Sequence, residues 1–145
     1  MPAPIPRWPA QVSPYSIKLN RASCLKIATW NVNSLSVRLP QVLQWLATEQ
    51  PDILALQEIK MLDAKFPFAD IAAAGYQAVC SGQKTYNGVA ILSRTAAQDK
   101  LTDVPGLQDP QRRILAATIG DVRVLNVYVP NGQSVDSEKY VYKLD

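Results

Sequence analysis

Apolar positions at the start of this chain come in two rhythms. Ile27, Ala28 and Trp30 belong to a short run that ends in Asn31, Asn33 and Ser34, and Ile53-Leu-Ala-Leu56 is a second run that ends in Gln57 and Glu58. Between them Leu39, Val42, Leu43 and Leu46 recur at the i, i+3, i+4, i+7 spacing of an amphipathic helix. The pattern predicts strand, helix, strand. A crossover helix of this length makes the two strands parallel neighbours, roughly 4.8 Å apart, so Asn31 and Glu58 leave one edge of a sheet side by side. Open α/β sheets bind ligands at that edge, and an amide oxygen beside a carboxylate suits a hard divalent cation such as Mg2+.

Further along, 68–74 predicts a short helix ended by Gly75, and strands follow at 76–80 and 88–93, with Asn87-Gly88 as a turn signal. The stretch 103–112, broken by Pro105, Gly106 and Pro110, predicts a loop. Runs at 114–119 and 122–128 predict a hairpin around Gly120-Asp121. A last helix, carrying Tyr140, Val141, Tyr142 and Leu144, is expected over 134–145. Six strands that begin parallel and continue antiparallel give the expectation of an α/β chain with one mixed six-stranded sheet and helices on one face. Residues 1–24 hold Pro2, Pro4, Pro6, Pro9 and Pro14 without periodicity, which predicts a flexible extension ahead of a body at 25–145.

At 145 residues and 48% hydrophobic content the chain has room for one ordinary globular domain. No apolar run approaches the length of a membrane span. Cys24 and Cys80 make neither a disulfide framework nor a metal-site spacing, so a reducing, cytoplasmic setting is expected and Cys80 reads as a small buried strand residue. The formal charge of +3 invites a nucleic-acid reading, but Arg7, Lys18 and Arg21 supply all of it, leaving 12 basic against 12 acidic residues from 25 onward. Only local placement of Arg38, Lys60, Lys84, Arg112 and Arg113 remains to favour a polyanion.

Five ordered blocks resemble a known family. They are Ile27-Ala-Thr-Trp-Asn31-Val-Asn33-Ser34-Leu35, Leu56-Gln57-Glu58-Ile59-Lys60, Lys84-Thr-Tyr86-Asn87-Gly88-Val-Ala-Ile-Leu-Ser93, Asn126-Val-Tyr128-Val-Pro130-Asn131-Gly132 and Ser137-Glu-Lys139-Tyr140-Val-Tyr142-Lys143-Leu144. Together they cover 25–145 and resemble the exonuclease III and apurinic/apyrimidinic endonuclease family of Mg2+-dependent DNA repair nucleases. The resemblance implies the first half of a four-layer α/β sandwich, with an apolar inner sheet face that packs on the other half. It implies Glu58 as metal ligand with Asn31 assisting, Mg2+ or Mn2+ as cofactor, and Tyr128 in the active site near the scissile phosphate. It also implies phosphate or DNA-backbone contacts from Asn33, Lys84, Tyr86 and Asn131, while Arg113 matches a family arginine of structural or functional role. The implied partner is double-stranded DNA with abasic sites or 3′ ends.

Two departures bear on activity. Ile59 stands where threonine is frequent, removing a hydroxyl beside Glu58. The family's Asp-x-Asn pair, its further acidic groups and its Asp-His pair would lie beyond residue 145, and this chain has no histidine. The expectation is therefore a nuclease half that needs a C-terminal half for turnover. The rivals are a non-catalytic half-domain that serves as a binding module, and a phosphatase of the same superfamily acting on phosphoinositides or sphingolipids, against which the blocks at 84–93 and 126–132 argue.

Overall fold

The computed structural model describes residues 24–104, 106 and 109–144. All but the last residue of the proline-rich stretch at 1–24 lies outside the described residues. In chain order the elements are β1 (Ile27–Asn31), α1 (Leu35–Glu49), β2 (Ile53–Gln57), a 3-10 turn (Asp63–Lys65), α2 (Phe68–Ala73), β3 (Gln77–Ser81), β4 (Val89–Ser93), β5 (Ala97–Leu101), β6 (Ile114–Ile119), β7 (Val122–Val127) and α3 (Glu138–Leu144).

The strands form two sheets, not one of six. Four make the order β1-β2-β4-β3 and three make β5-β6-β7. The expected six are all present; the seventh, β5, escaped the periodicity argument because Ala97-Gln-Asp-Lys-Leu101 is polar, mostly exposed and interrupted by a shift of register against β6. β1 and β2 are parallel, running from Ile27 opposite Ile53 to Asn31 opposite Gln57, while β4 is antiparallel to both β2 and β3.

Two apolar layers follow from the alternation along these strands. Leu54 and Leu56 of β2, with Ala90 and Leu92 of β4, face Val42 and Leu46 of α1 and Ile71 of α2, so both long helices cover one face as expected. Trp30 and Trp45 meet edge to face across this layer, with ring centres 6.2 Å apart. On the opposite face Ile53, Val89 and Ile91 pack against Leu115, Ala117 and Ile119 of the second sheet. The β6–β7 hairpin thus covers the inner face over β2 and β4, where a bare apolar face was expected, while Ile27 of β1 on that same face stays exposed. Exposed apolar side chains also stand on the outer face of the second sheet, where Leu101, Leu125 and Val127 are each more than 40% exposed.

The last helix begins at Glu138, not at 134. Ser137 Oγ accepts from Tyr140 N–H at 3.1 Å and donates to the carbonyls of Gly132 and Ser134, which makes Ser137 the N-cap and leaves 134–136 as a turn.

Candidate active site at the strand ends

β1 and β2 end level with each other, and their carboxyl ends deliver the polar groups. Asn31 Nδ2 donates to Glu58 Oε1 at 2.8 Å, and Asn31 Oδ1 accepts from the Asn33 backbone amide at 3.1 Å. Lys60 Nζ lies 3.2 Å from Glu58 Oε2 and also donates to Asn33 Oδ1. From the second sheet Tyr128, the residue after β7, stands close enough for its hydroxyl to influence the same carboxylate. Glu58 is thus the hub of Asn31, Lys60 and Tyr128.

The loop that presents Glu58 is strained and heavily tied. Glu58 and Lys60 both have left-handed backbones, with φ of 55° and 54°, a conformation that residues other than Gly, Asn and Asp seldom hold. Ser34 and Leu35 donate to the Glu58 and Ile59 carbonyls, and Ile59 and Lys60 donate to those of Gly88 and Asn87. Ile59 between them is fully buried, so the departure from threonine serves packing here. Gly88, at φ +83°, is required on two counts, since a Cβ there would also stand 2.7 Å from Ile59 Cγ1.

Opposing influences set the charge state of the hub. Burial pushes the Glu58 carboxyl upward, but hydrogen bonds from Asn31, Lys60 and Tyr128 and the Lys60 charge outweigh it and hold the group below the ordinary carboxylate range. The Tyr128 phenol goes the other way, raised by burial and then by its hydrogen bond to, and the charge of, Glu58, with only the Arg113 charge opposing. At neutral pH the site therefore pairs an ionised carboxylate with a protonated phenol.

Other residues singled out in the sequence fare differently. Lys84 and Tyr86 are exposed on the loop between β3 and β4, and among the described residues their side chains make no hydrogen bond to the Glu58 cluster. Asn131 is exposed and uses its oxygen to accept from the Gln133 amide at 3.0 Å, closing a turn beyond Tyr128.

Three positions carry more of the site than their sequence context announced. Lys60 reads in the sequence as the last residue of a motif and as one of several cations, with nothing to place it against Glu58. Asn126 is buried in β7 and donates at 2.9 Å to the carbonyls of both Leu56 and Ala90, while its oxygen accepts from Gln57 Nε2 at 2.7 Å. An amide at the inward position two residues before Tyr128 is the signal that could have found this staple. Arg113 pairs with Asp109, and its guanidinium carbon lies 4.6 Å from the centre of the Tyr142 ring. The Tyr142 hydroxyl donates to Asp109 at 2.8 Å, and the Arg113 carbonyl accepts from the Tyr128 amide at 2.8 Å. This clamp ties α3 and the loop before β6 to the backbone of Tyr128.

Residues 28–144 match the endonuclease/exonuclease/phosphatase family. The chain is 34% identical to exodeoxyribonuclease III of Haemophilus influenzae over 115 residues, 76% of this chain and 43% of that one. It is also 34% identical to the DNA repair nuclease APEX1 of Danio rerio over 124 residues, 79% of this chain and 39% of that one. Among solved structures it is similar to the 3′ phosphatase NExo from Neisseria bound to a product DNA hairpin, with 56% identity, a TM-score of 0.81 and coverage of 83% of this chain and 48% of that one. An AP endonuclease from Archaeoglobus fulgidus gives 46% identity and a TM-score of 0.80, over 83% of this chain and 47% of that one. The chain spans less than half the length of each of these relatives.

Proposed function

The chain belongs to the endonuclease/exonuclease/phosphatase family, and from that premise we propose that it is the metal-ligating and phosphate-orienting part of a DNA repair nuclease of the exonuclease III type, acting at abasic sites and 3′ ends. The observation that carries this reading is the convergence on one carboxylate, Glu58, of groups from β1, β2 and β7. Its relatives include named exonucleases and AP endonucleases, and one is solved with product DNA.

The donor set fits Mg2+ or Mn2+ as one ionised carboxylate in a shell otherwise made of water and phosphate oxygens, the way Mg2+ is commonly held. Among the described residues no group of three His, Cys, Asp or Glu could hold a metal by itself. Glu58 would take the ion, with Asn31 turning its amide oxygen toward it. A bound divalent cation would supply positive charge to a phosphate oxygen as negative charge builds there. Tyr128, kept protonated, would donate to the phosphate; Asn33 and Asn131 would offer further polar contacts, and Lys84 and Tyr86 would meet a backbone phosphate without sequence readout.

Turnover needs a base for the attacking water, and the cluster contains none: its carboxylate is engaged by three donors and its phenol is raised. The same count favours a second reading for the chain taken alone, a non-catalytic module that binds but does not cleave.

The test is Mg2+-dependent incision of a duplex with one abasic site, by this chain alone and by 25–145 fused to the complementary half of a relative. We expect no incision by the chain alone, incision by the fusion, and loss of incision in the fusion carrying Glu58→Gln. Incision by the Glu58→Gln fusion would remove Glu58 as the ligand. Failure of the unmodified fusion, when folded, would leave the binding reading in possession.

A further inference from the structure

Lys60 is an unexpected neighbour for a metal ligand. Its ammonium lies 3.2 Å from Glu58 Oε2, on the opposite oxygen from the one Asn31 bonds, and it reaches Asn33 Oδ1 as well. The ammonium thus neutralises the same carboxylate that a divalent ion would need. Both side chains are partly shielded, Lys60 to 26% and Glu58 to 19% exposure, so solvent screening of the pair is incomplete.

The backbone shows that this placement is a property of the fold. Residue 60 sits at φ 54°, where glycine or asparagine would be less strained, and its amide is bonded to the Asn87 carbonyl. Ile59, between the two charged residues, is sealed in the core, so Glu58 and Lys60 are turned out together from one tight loop. Strain of this kind persists only where surrounding contacts over-determine it, and four backbone hydrogen bonds do so here.

We propose that Lys60 is an internal competitor for the divalent cation: its ammonium engages the Glu58 carboxylate that the ion needs, and the ion binds only by displacing it. This rests on Glu58 being the metal ligand. The consequence is a site that resists bare divalent ions and yields when an anionic phosphate draws the ammonium away, so that cation and phosphate promote each other's binding.

The probe is Mn2+, whose free fraction is read by electron paramagnetic resonance against the 145-residue chain. Removing the competing charge in Lys60→Gln should tighten Mn2+ binding by roughly two- to fivefold, the range for a partly exposed ion pair. Lys60→Arg keeps the charge and should bind like the unmodified chain. Glu58→Gln should abolish binding in either background. Lys60→Met, compared by amide chemical shifts, serves as a second neutral variant should Lys60→Gln misfold. Equal, weaker or absent Mn2+ binding in folded neutral variants overturns the competition, and if that binding still depends on Glu58 the metal reading survives. Binding that ignores Glu58→Gln overturns the metal reading and the competition with it.

Discussion

The two sheets have the same inward rhythm but different surroundings, and the difference separates platform from attachment. In the four-stranded sheet helices cover one face and the β6–β7 hairpin the other, so Ile53, Leu54, Leu56, Val89, Ile91 and Leu92 are all fully buried. The three-stranded sheet is covered on its inner face alone, and its outer face shows Leu101, Leu125 and Val127. The first sheet supplies Asn31 from its edge strand and Glu58 and Lys60 from the end of the doubly covered β2; the second supplies Tyr128, which must be brought into register by other means. Those means are polar. Asn126 staples β7 to two carbonyls of the first sheet, and the Arg113 carbonyl holds the Tyr128 amide.

The contrast is broken most severely at the layer the sheets share. Ile91→Ala removes a fully buried side chain between them and should cost about 2–5 kcal/mol in denaturant unfolding, whereas Leu125→Lys on the outer face should change stability by less than about 0.5 kcal/mol. That second variant should lower self-association in sedimentation, because a charge then interrupts the exposed apolar stripe. Comparable destabilisation by both would mean that the outer face is covered. Next in size is Asn126→Ala, expected to cost about 1–3 kcal/mol through the two carbonyls and the Gln57 amide left without their partner. Its diagnostic is a Tyr128 ring signal that moves while those of Trp30 and Trp45 stay fixed. A shift at the tryptophans too would show that the staple supports the whole sandwich.

Gly88→Ala probes the join between platform and site. The positive φ and the 2.7 Å approach to Ile59 Cγ1 should cost roughly 1–3 kcal/mol and displace Glu58 and Lys60 together. Amide shifts at 58–60 that do not respond would show that the loop is held without this glycine.

What could be read from the sequence follows the same division. β1, β2 and β4 are short apolar runs, the first two ending in polar residues, so these strands, the parallel crossover and the meeting of Asn31 with Glu58 were all legible. The partition into two sheets was not, because periodicity gives the face a side chain occupies and not the sheet its strand joins. β5 was invisible for lack of alternation: Gln98, Asp99 and Lys100 are polar and exposed in succession. Lys60 and Asn126 were quoted as motif letters, but their roles depend on a left-handed backbone and on a sheet crossing some 70 residues away in sequence, neither of which has a local signature.

The smallest expected effect lies at the clamp that moors the second sheet's site end to α3. Burial alone would raise the Asp109 carboxyl, but the Gln111 amide, the Arg113 and Tyr142 hydrogen bonds and the Arg113 charge outweigh it and hold the group below its ordinary value. A carboxyl depressed on folding contributes stability that is present above its unfolded value, about 3.9, and is lost as pH falls through the lower folded one. Asp109→Asn has no such carboxylate. The unmodified chain should therefore be the more stable near pH 7, with the gap closing as Asp109 protonates in acid. Because both proteins share Glu58 and every other carboxylate, those contributions cancel in the difference. Denaturant curves at pH 7 and at successively lower pH measure it directly. A gap that stays constant through the acid range would show that the Arg113 and Tyr142 contacts hold α3 without help from the Asp109 charge, and that the mooring is one of packing.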